Sequence, residues 1–104
     1  MDKQSVKIAK IFFNKIEKKF KIEKMILFGS RARGDNLKNS DFDFLIISKK
    51  FEDKKFILRA SDFYDYWNLS IDIEILCYTP REFEKKKKQI GIVQQAVKEG
   101  IEIK

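Results

Sequence analysis

The chain reads as an α/β (α+β) protein built on three to four strands, with helical and extended segments alternating along its length. Three observations predict this. Residues 5–20 carry apolar side chains at spacings of three and four. Two short apolar runs, 24–28 and 42–48, are bounded by turn residues. Residues 71–78 alternate between two chemical faces, the period of a strand. A length of 104 residues suits one domain spanning 1–104.

The elements follow in order. Ala9, Phe12 or Phe13, Ile16 and Phe20 form the apolar face of a first helix, with lysines between them. Residues 24–28 are a buried strand that stops at Gly29. Residues 30–34 make a short helical turn, 35–40 a polar loop, and 42–48 a second strand. The stretch 54–68 is predicted as a helix, because Phe56, Ala60, Phe63 and Trp67 fall on one face. Tyr64 and Tyr66 lie beside that stripe. Such aromatics can stack bases, but at helical spacing they read first as core. In 71–78, Ile71, Ile73, Ile75 and Cys77 share one face, while Asp72, Glu74, Leu76 and Tyr78 share the other.

The next boundary carries agreeing signals. Thr79 is an N-cap, Pro80 occupies the first helical position, and Glu82 completes a capping box. Tyr78 and Phe83 take the positions of a hydrophobic staple. Lys85 to Lys88 continue this helix as a solvated run. Ile92, Val93, Ala96 and Val97 predict a last helix, Gly100 its C′ residue, and 101–103 a short edge strand.

Composition excludes several chemistries. Histidine is absent, which removes Ser-His-Asp and Cys-His mechanisms and histidine-ligated zinc. Cys77 is the only cysteine, so no internal disulfide forms, and its alternating surroundings make it a small core residue. The net charge is +7 with 38% charged residues. The lysines are spread along the whole chain, so a solvated surface is the simpler reading and attraction to a polyanion the sharper one. The start, Met1-Asp2-Lys3-Gln4, lacks the apolar stretch of a signal peptide. The apolar runs are about four to five residues, against the ~20 needed to span a bilayer. A cytoplasmic protein without membrane contact is expected.

The acids and the early turn hold the chemistry. Asp41 and Asp43 are one residue apart at the head of the second strand and point to one side. Asp72 and Glu74 do the same on the third. If those strands are neighbours, three or four carboxylates converge, a costly arrangement that divalent cations reverse. Hard oxygen ligands select magnesium or manganese, and two ions can serve an attacking oxygen and a leaving pyrophosphate. Gly29 lets a triphosphate approach the backbone, and Ser30 and the turn's N–H groups can hold its oxygens. Arg31 and Arg33 can add charge-assisted bonds, although Ala32 lies between them and the two need not face the same way. Gly29 and Gly34 are followed by Asp35 and Asn36, so this is neither a Walker loop nor a dinucleotide fingerprint.

The segment Gly29-Ser30, ten further residues, then Asp41-Phe42-Asp43 resembles the signature of the DNA polymerase β-type nucleotidyltransferase superfamily. The Gly29-Ser30-Arg31-Ala32-Arg33-Gly34 form and the Tyr78-Thr79-Pro80-Arg81-Glu82-Phe83 ending resemble its minimal nucleotidyltransferase branch, over residues 5–100. The resemblance implies a mixed sheet flanked by helices, ATP as substrate bound at Gly29 and Ser30, and magnesium held by Asp41 and Asp43. It also implies a third acid on a later strand. Asp72 has the more usual aspartate chemistry and is slightly preferred. Glu74 stands four residues before Tyr78, where that acid is expected, so both remain open. Members of this branch are paired with a separate helical HEPN-type protein in toxin–antitoxin systems, in some cases transferring AMP to a partner tyrosine. The expected function is therefore magnesium-dependent transfer of AMP from ATP to such a hydroxyl. The rival is a catalytically weak module that neutralises its partner by covering it. A nucleic-acid partner is disfavoured, since no recognition helix or RNP-type motif is present. Assembly with further copies of the chain is left open.

Overall fold

The structure is a computed structural model describing residues 3–104. Helix α1 spans Lys3–Glu17, and strand β1 spans Lys24–Phe28. The one-turn helix α2, Ser30–Arg33, and strand β2, Phe42–Ile47, follow. After a 48–72 connection come β3 (Ile73–Tyr78), α3 (Pro80–Lys86), α4 (Ile92–Glu99) and β4 (Ile101–Glu102). The strands form one mixed sheet in the order β3-β2-β1-β4, as a helix-flanked α+β fold requires. β1 runs antiparallel to β2 and β4, and β2 runs parallel to β3.

Two apolar layers cover the sheet, and strand periodicity assigns each side chain to one of them. Ala9, Phe12, Phe13 and Ile16 of α1 pack with Phe42, Phe44, Ile46, Ile75 and Cys77. On the other face, Phe83 of α3 and Val93 and Ala96 of α4 pack with Ile26, Phe28, Leu45, Ile47 and Tyr78. Cys77 is a buried core residue, and burial pushes its thiol up to about 12. β2 is central and buried on both faces, which explains its nearly unbroken apolar run. Asp43 is the exception in that run. It shares the parity of Leu45 and Ile47 and therefore lies on the α3/α4 side of the sheet.

The capping box before α3 is complete. Glu82 N–H donates to Thr79 Oγ1 (3.2 Å) and Thr79 N–H donates to Glu82 Oε1 (2.8 Å). The 54–68 segment departs from the predicted helix. It folds as separate 3-10 turns, Phe56–Leu58 and Ser61–Tyr66. Arg59 supplies the physical reason. Its guanidinium is buried, donates from Nε to Lys54 O (3.0 Å) and from Nη1 to Cys77 O (3.2 Å), and grips both Glu82 oxygens. Broken turns place that side chain inside. The aromatic stripe is core in part: Phe63 is buried and Ala60 and Trp67 pack against the α1-side layer, whereas Phe56 is half exposed.

Gly100 closes α4 in extended backbone (φ −78°), not the left-handed form expected of a C′ glycine. Its value is space. A Cβ there would strike Ile26 and the Ala96 carbonyl, so glycine lets β4 turn straight onto β1. Among the described residues no helix is long and apolar enough to cross a membrane.

Candidate active site

The site lies where β1 ends and β2 and β3 begin. Phe28, the last residue of β1, pairs with Asp43, so Gly29 emerges beside that carboxylate. Gly29 has φ +76° and ψ −157°, a conformation that residues with a Cβ rarely adopt. A Cβ at Gly29 would collide with Asp43 Oδ2 and lie 3.2 Å from its Cγ. The Asp43 carboxylate thus rests against bare backbone. The two halves of the sequence motif are one contact in space.

From Gly29 the chain turns directly into α2. The Gly29 carbonyl accepts from Ala32 N–H and Arg33 N–H, both at 3.1 Å. Gly34, at φ +85°, ends the turn, and its N–H donates to Ser30 O (2.9 Å). Two positive-φ glycines therefore bracket a single helical turn. Gly29 and Ser30 are half-buried at its head.

Arg31 and Arg33 diverge, as the intervening Ala32 suggests. Arg31 is only 4% exposed and is directed away from the acids. It donates from Nε to Ser40 O (3.0 Å), from Nη2 to Lys38 O (3.0 Å) and Ser40 O (2.9 Å), and from Nη1 to Ser5 Oγ (3.0 Å). Its plane also covers the Phe42 ring at 4.3 Å. In this arrangement Arg31 fastens the 35–40 loop to α1 and is not presented to phosphate. Arg33 is exposed beside Gly29, paired with Asp35 (3.1 Å) and Glu99 (3.6 Å). The Asp35 hydrogen bond, then its charge, leads the causes that raise the Arg33 pKa.

The acids are graded by position. Asp41 precedes β2 and is exposed, whereas Asp43 is half-buried. Asp43 pairs with Glu74 across the parallel β2–β3 ladder, so the two share the α3/α4 side. Burial first, then the charges of Glu74 and Asp41 and a hydrogen bond with Glu74, push Asp43 up to about 6. Arg33 opposes the rise. Asp72 is exposed one residue before β3, where its carbonyl accepts from Phe42 N–H (3.0 Å). It is not among the groups that act on Asp43. The group brought together is Asp41, Asp43 and Glu74, with Arg33 as the neighbouring cation.

Sequence reasoning missed the contribution of α4. A hollow of about 340 Å³ lies beside Gly29, walled by Phe28, Arg33, Ile92, Gln95 and Glu99. The signal was present, since Ile92, Gln95 and Glu99 recur at helical spacing on α4, but nothing in the sequence shows that this face meets Gly29. Among the described residues no three acidic or cysteine side chains are gathered closely enough to enclose a metal ion. Magnesium sites are commonly completed by substrate phosphates and water, with only one or two carboxylates from the protein. Asp41, Asp43 and Glu74 fit that role: all are hard oxygen donors, and Asp43 is raised first by burial and then by neighbouring negative charge, the part that a cation would offset.

Comparison with known proteins follows the same line. A family model described as "Nucleotidyltransferase domain" matches residues 9–103. A solved structure described as a "putative nucleotidyltransferase" from Sulfolobus solfataricus superposes with a TM-score of 0.68, at 23% identity, over 95% of this chain and 78% of that one. At that identity the likeness speaks for the fold. No curated protein matches the chain.

Proposed function

The chain belongs to the nucleotidyltransferase domain family, and from that premise we propose that it transfers AMP from ATP to an acceptor hydroxyl, a tyrosine of a HEPN-type partner that the transfer silences. The observation that carries this reading is the seating of the Asp43 carboxylate against Gly29 and opposite Glu74. It joins an acid pair to a turn that a phosphate chain can approach closely.

The chemistry is one displacement. The acceptor oxygen attacks the α-phosphorus, a new P–O bond forms, and the bond to the bridging oxygen breaks with release of pyrophosphate. Gly29 and Ser30 would receive the β- and γ-phosphates, with Arg33 beside them. The hollow between α2 and α4 gives room next to Gly29 for the rest of the nucleotide. Asp41, Asp43 and Glu74 would hold magnesium, which when bound supplies neutralisation of the phosphate charge. Glu74, exposed on β3, would take the acceptor proton. Asp72 is the other candidate for that role, from the rim of the same strand. Incubation with ATP labelled at the α-phosphate, magnesium and a HEPN-type partner should label the partner, and Asp43→Asn should not support it. Absence of label with every partner tried, alongside unchanged neutralisation by Asp43→Asn, would contradict the transfer reading.

The alternative is a catalytically weak module that neutralises its partner by covering it. Neutralisation that survives loss of both Asp41 and Asp43 would favour this alternative.

A further inference from the structure

The lysines are spread along the chain, but the acids that would balance them are not. Residues 3–21 hold seven lysines and one acid, Glu17, a net of +6 in a chain whose total is +7. Nearly all the excess charge therefore sits on α1 and the turn after it. Lys3, Lys7, Lys10, Lys15 and Lys18 are exposed. Helical geometry places them around one solvent face, opposite the buried Ala9, Phe12 and Ile16.

That face has an apolar centre. Ile11 is 48% exposed among the lysines. Beside it opens a hollow of about 110 Å³, walled by Ile8, Ile11, Phe12, Trp67 and Leu69, with Lys15 at its edge. Leu69 is 45% exposed. An apolar cavity of about 150 Å³ takes up a benzene-sized group, so this smaller one matches a single leucine or isoleucine side chain. Arg31 ties buried Ser5, in the first turn of α1, to the turn that follows Gly29, so the helix that carries this face is anchored to the active-site loops.

We propose that the solvent face of α1 is a docking surface for an acidic helix of a partner protein, anchored by one large apolar side chain in the hollow between α1 and Trp67. Charge complementarity selects an acidic partner, and the hollow supplies the buried centre that protein interfaces need. A nucleic acid satisfies the charge, but the hollow's walls are mainly apolar, with Tyr66 and Asn68 the polar side chains among them beside Lys15. A membrane is disfavoured for another reason. The broad apolar stripe of α1 is buried in the core, leaving exposed Ile11 and half-buried Val6 on the lysine face, too little for an interfacial helix. The inference goes beyond the transfer chemistry and does not depend on it.

Trp67 is the only tryptophan and reports on the hollow directly. The probe is a synthetic helical peptide of alanine and glutamate with one central leucine, titrated at low salt. A saturable change in Trp67 emission is expected, weakened at least tenfold when the peptide's leucine becomes alanine. The Lys7→Glu/Lys15→Glu protein should bind at least tenfold more weakly, and Leu69→Glu should do the same should the lysine pair disturb folding. Asp43→Asn should bind as the unmodified protein does, which separates this test from that of the transfer reaction. No change in emission at any peptide concentration, or equal binding of the leucine and alanine peptides, would overturn the proposal. So would a saturable response to oligouridylate RNA or phosphatidylserine vesicles that the peptide cannot displace.

Discussion

Asp43 faces Glu74 across the parallel β2–β3 pair while its carboxylate occupies the space that a Cβ on Gly29 would fill. Like charges are thereby held together on a rigid sheet, half out of water. The arrangement costs stability in the free protein, a cost that a bound cation would relieve. Sites of function commonly carry such a cost.

Removing the charge should therefore stabilise the fold. The Asp43 pKa lies at about 6, above its ordinary value of 3.8. A raised carboxyl pKa means that the folded state favours the protonated form. The penalty of ionising Asp43, from burial first and from the charges of Glu74 and Asp41 next, is absent below about pH 4, grows between pH 4 and 6, and is complete above 6. Asp43→Asn should gain about 1 kcal/mol at pH 7.5, after allowance for solvent screening of a half-exposed group, and nothing at pH 3.5. Denaturant melts at the two pH values check this.

Asp43 should also set the pH dependence of activity. Deprotonated Asp43 is the form that accepts a cation, so kcat/KM should rise through pH 6 and level off above it. Saturating magnesium should move the limb to lower pH. A profile flat from pH 5 to 8 would contradict the assignment.

Gly29 and Asp43 should be coupled energetically. Gly29→Ala meets a positive φ and the carboxylate together, and should cost about 2–4 kcal/mol. In an Asp43→Ala background the collision is gone while the backbone strain remains. The cost should then fall by at least about 1 kcal/mol, measured as a double-mutant cycle.

The two arginines of the motif should separate. Arg31→Lys removes a planar fork that serves Ser40, Lys38 and Ser5, and should cost about 2–4 kcal/mol of stability. Arg33→Ala, at an exposed site, should leave stability nearly unchanged. Its effect should appear instead as a severalfold higher KM for ATP. Thermal melts and steady-state kinetics on the two variants distinguish the roles.

Much of this was legible in the sequence where local chemistry decides the outcome. The strand ending at Gly29, the Asp43 strand and the Thr79–Glu82 box are written in adjacent residues, and the structure carries all three. The 54–68 segment was not legible. Its helical stripe is real, but buried Arg59 reaches Lys54, Cys77 and Glu82, and that long-range grip overrides periodicity. Period-two alternation put Asp72 and Glu74 on one side but could not say which stands level with Asp43, because register is a property of two strands. The contribution of α4 beside Gly29 depends on how a helix packs, which no local pattern states.

The central claim is that carboxylates meeting beside Gly29 bind a nucleotide through a divalent cation. Calorimetric titration of a non-hydrolysable ATP analogue, with and without magnesium, into the unmodified protein, Asp43→Asn, Glu74→Gln and Asp72→Asn tests it most directly. The account predicts magnesium-dependent binding, lost in Asp43→Asn, weakened at least tenfold in Glu74→Gln and changed less in Asp72→Asn. Binding that is indifferent to magnesium and undiminished in Asp43→Asn would contradict it.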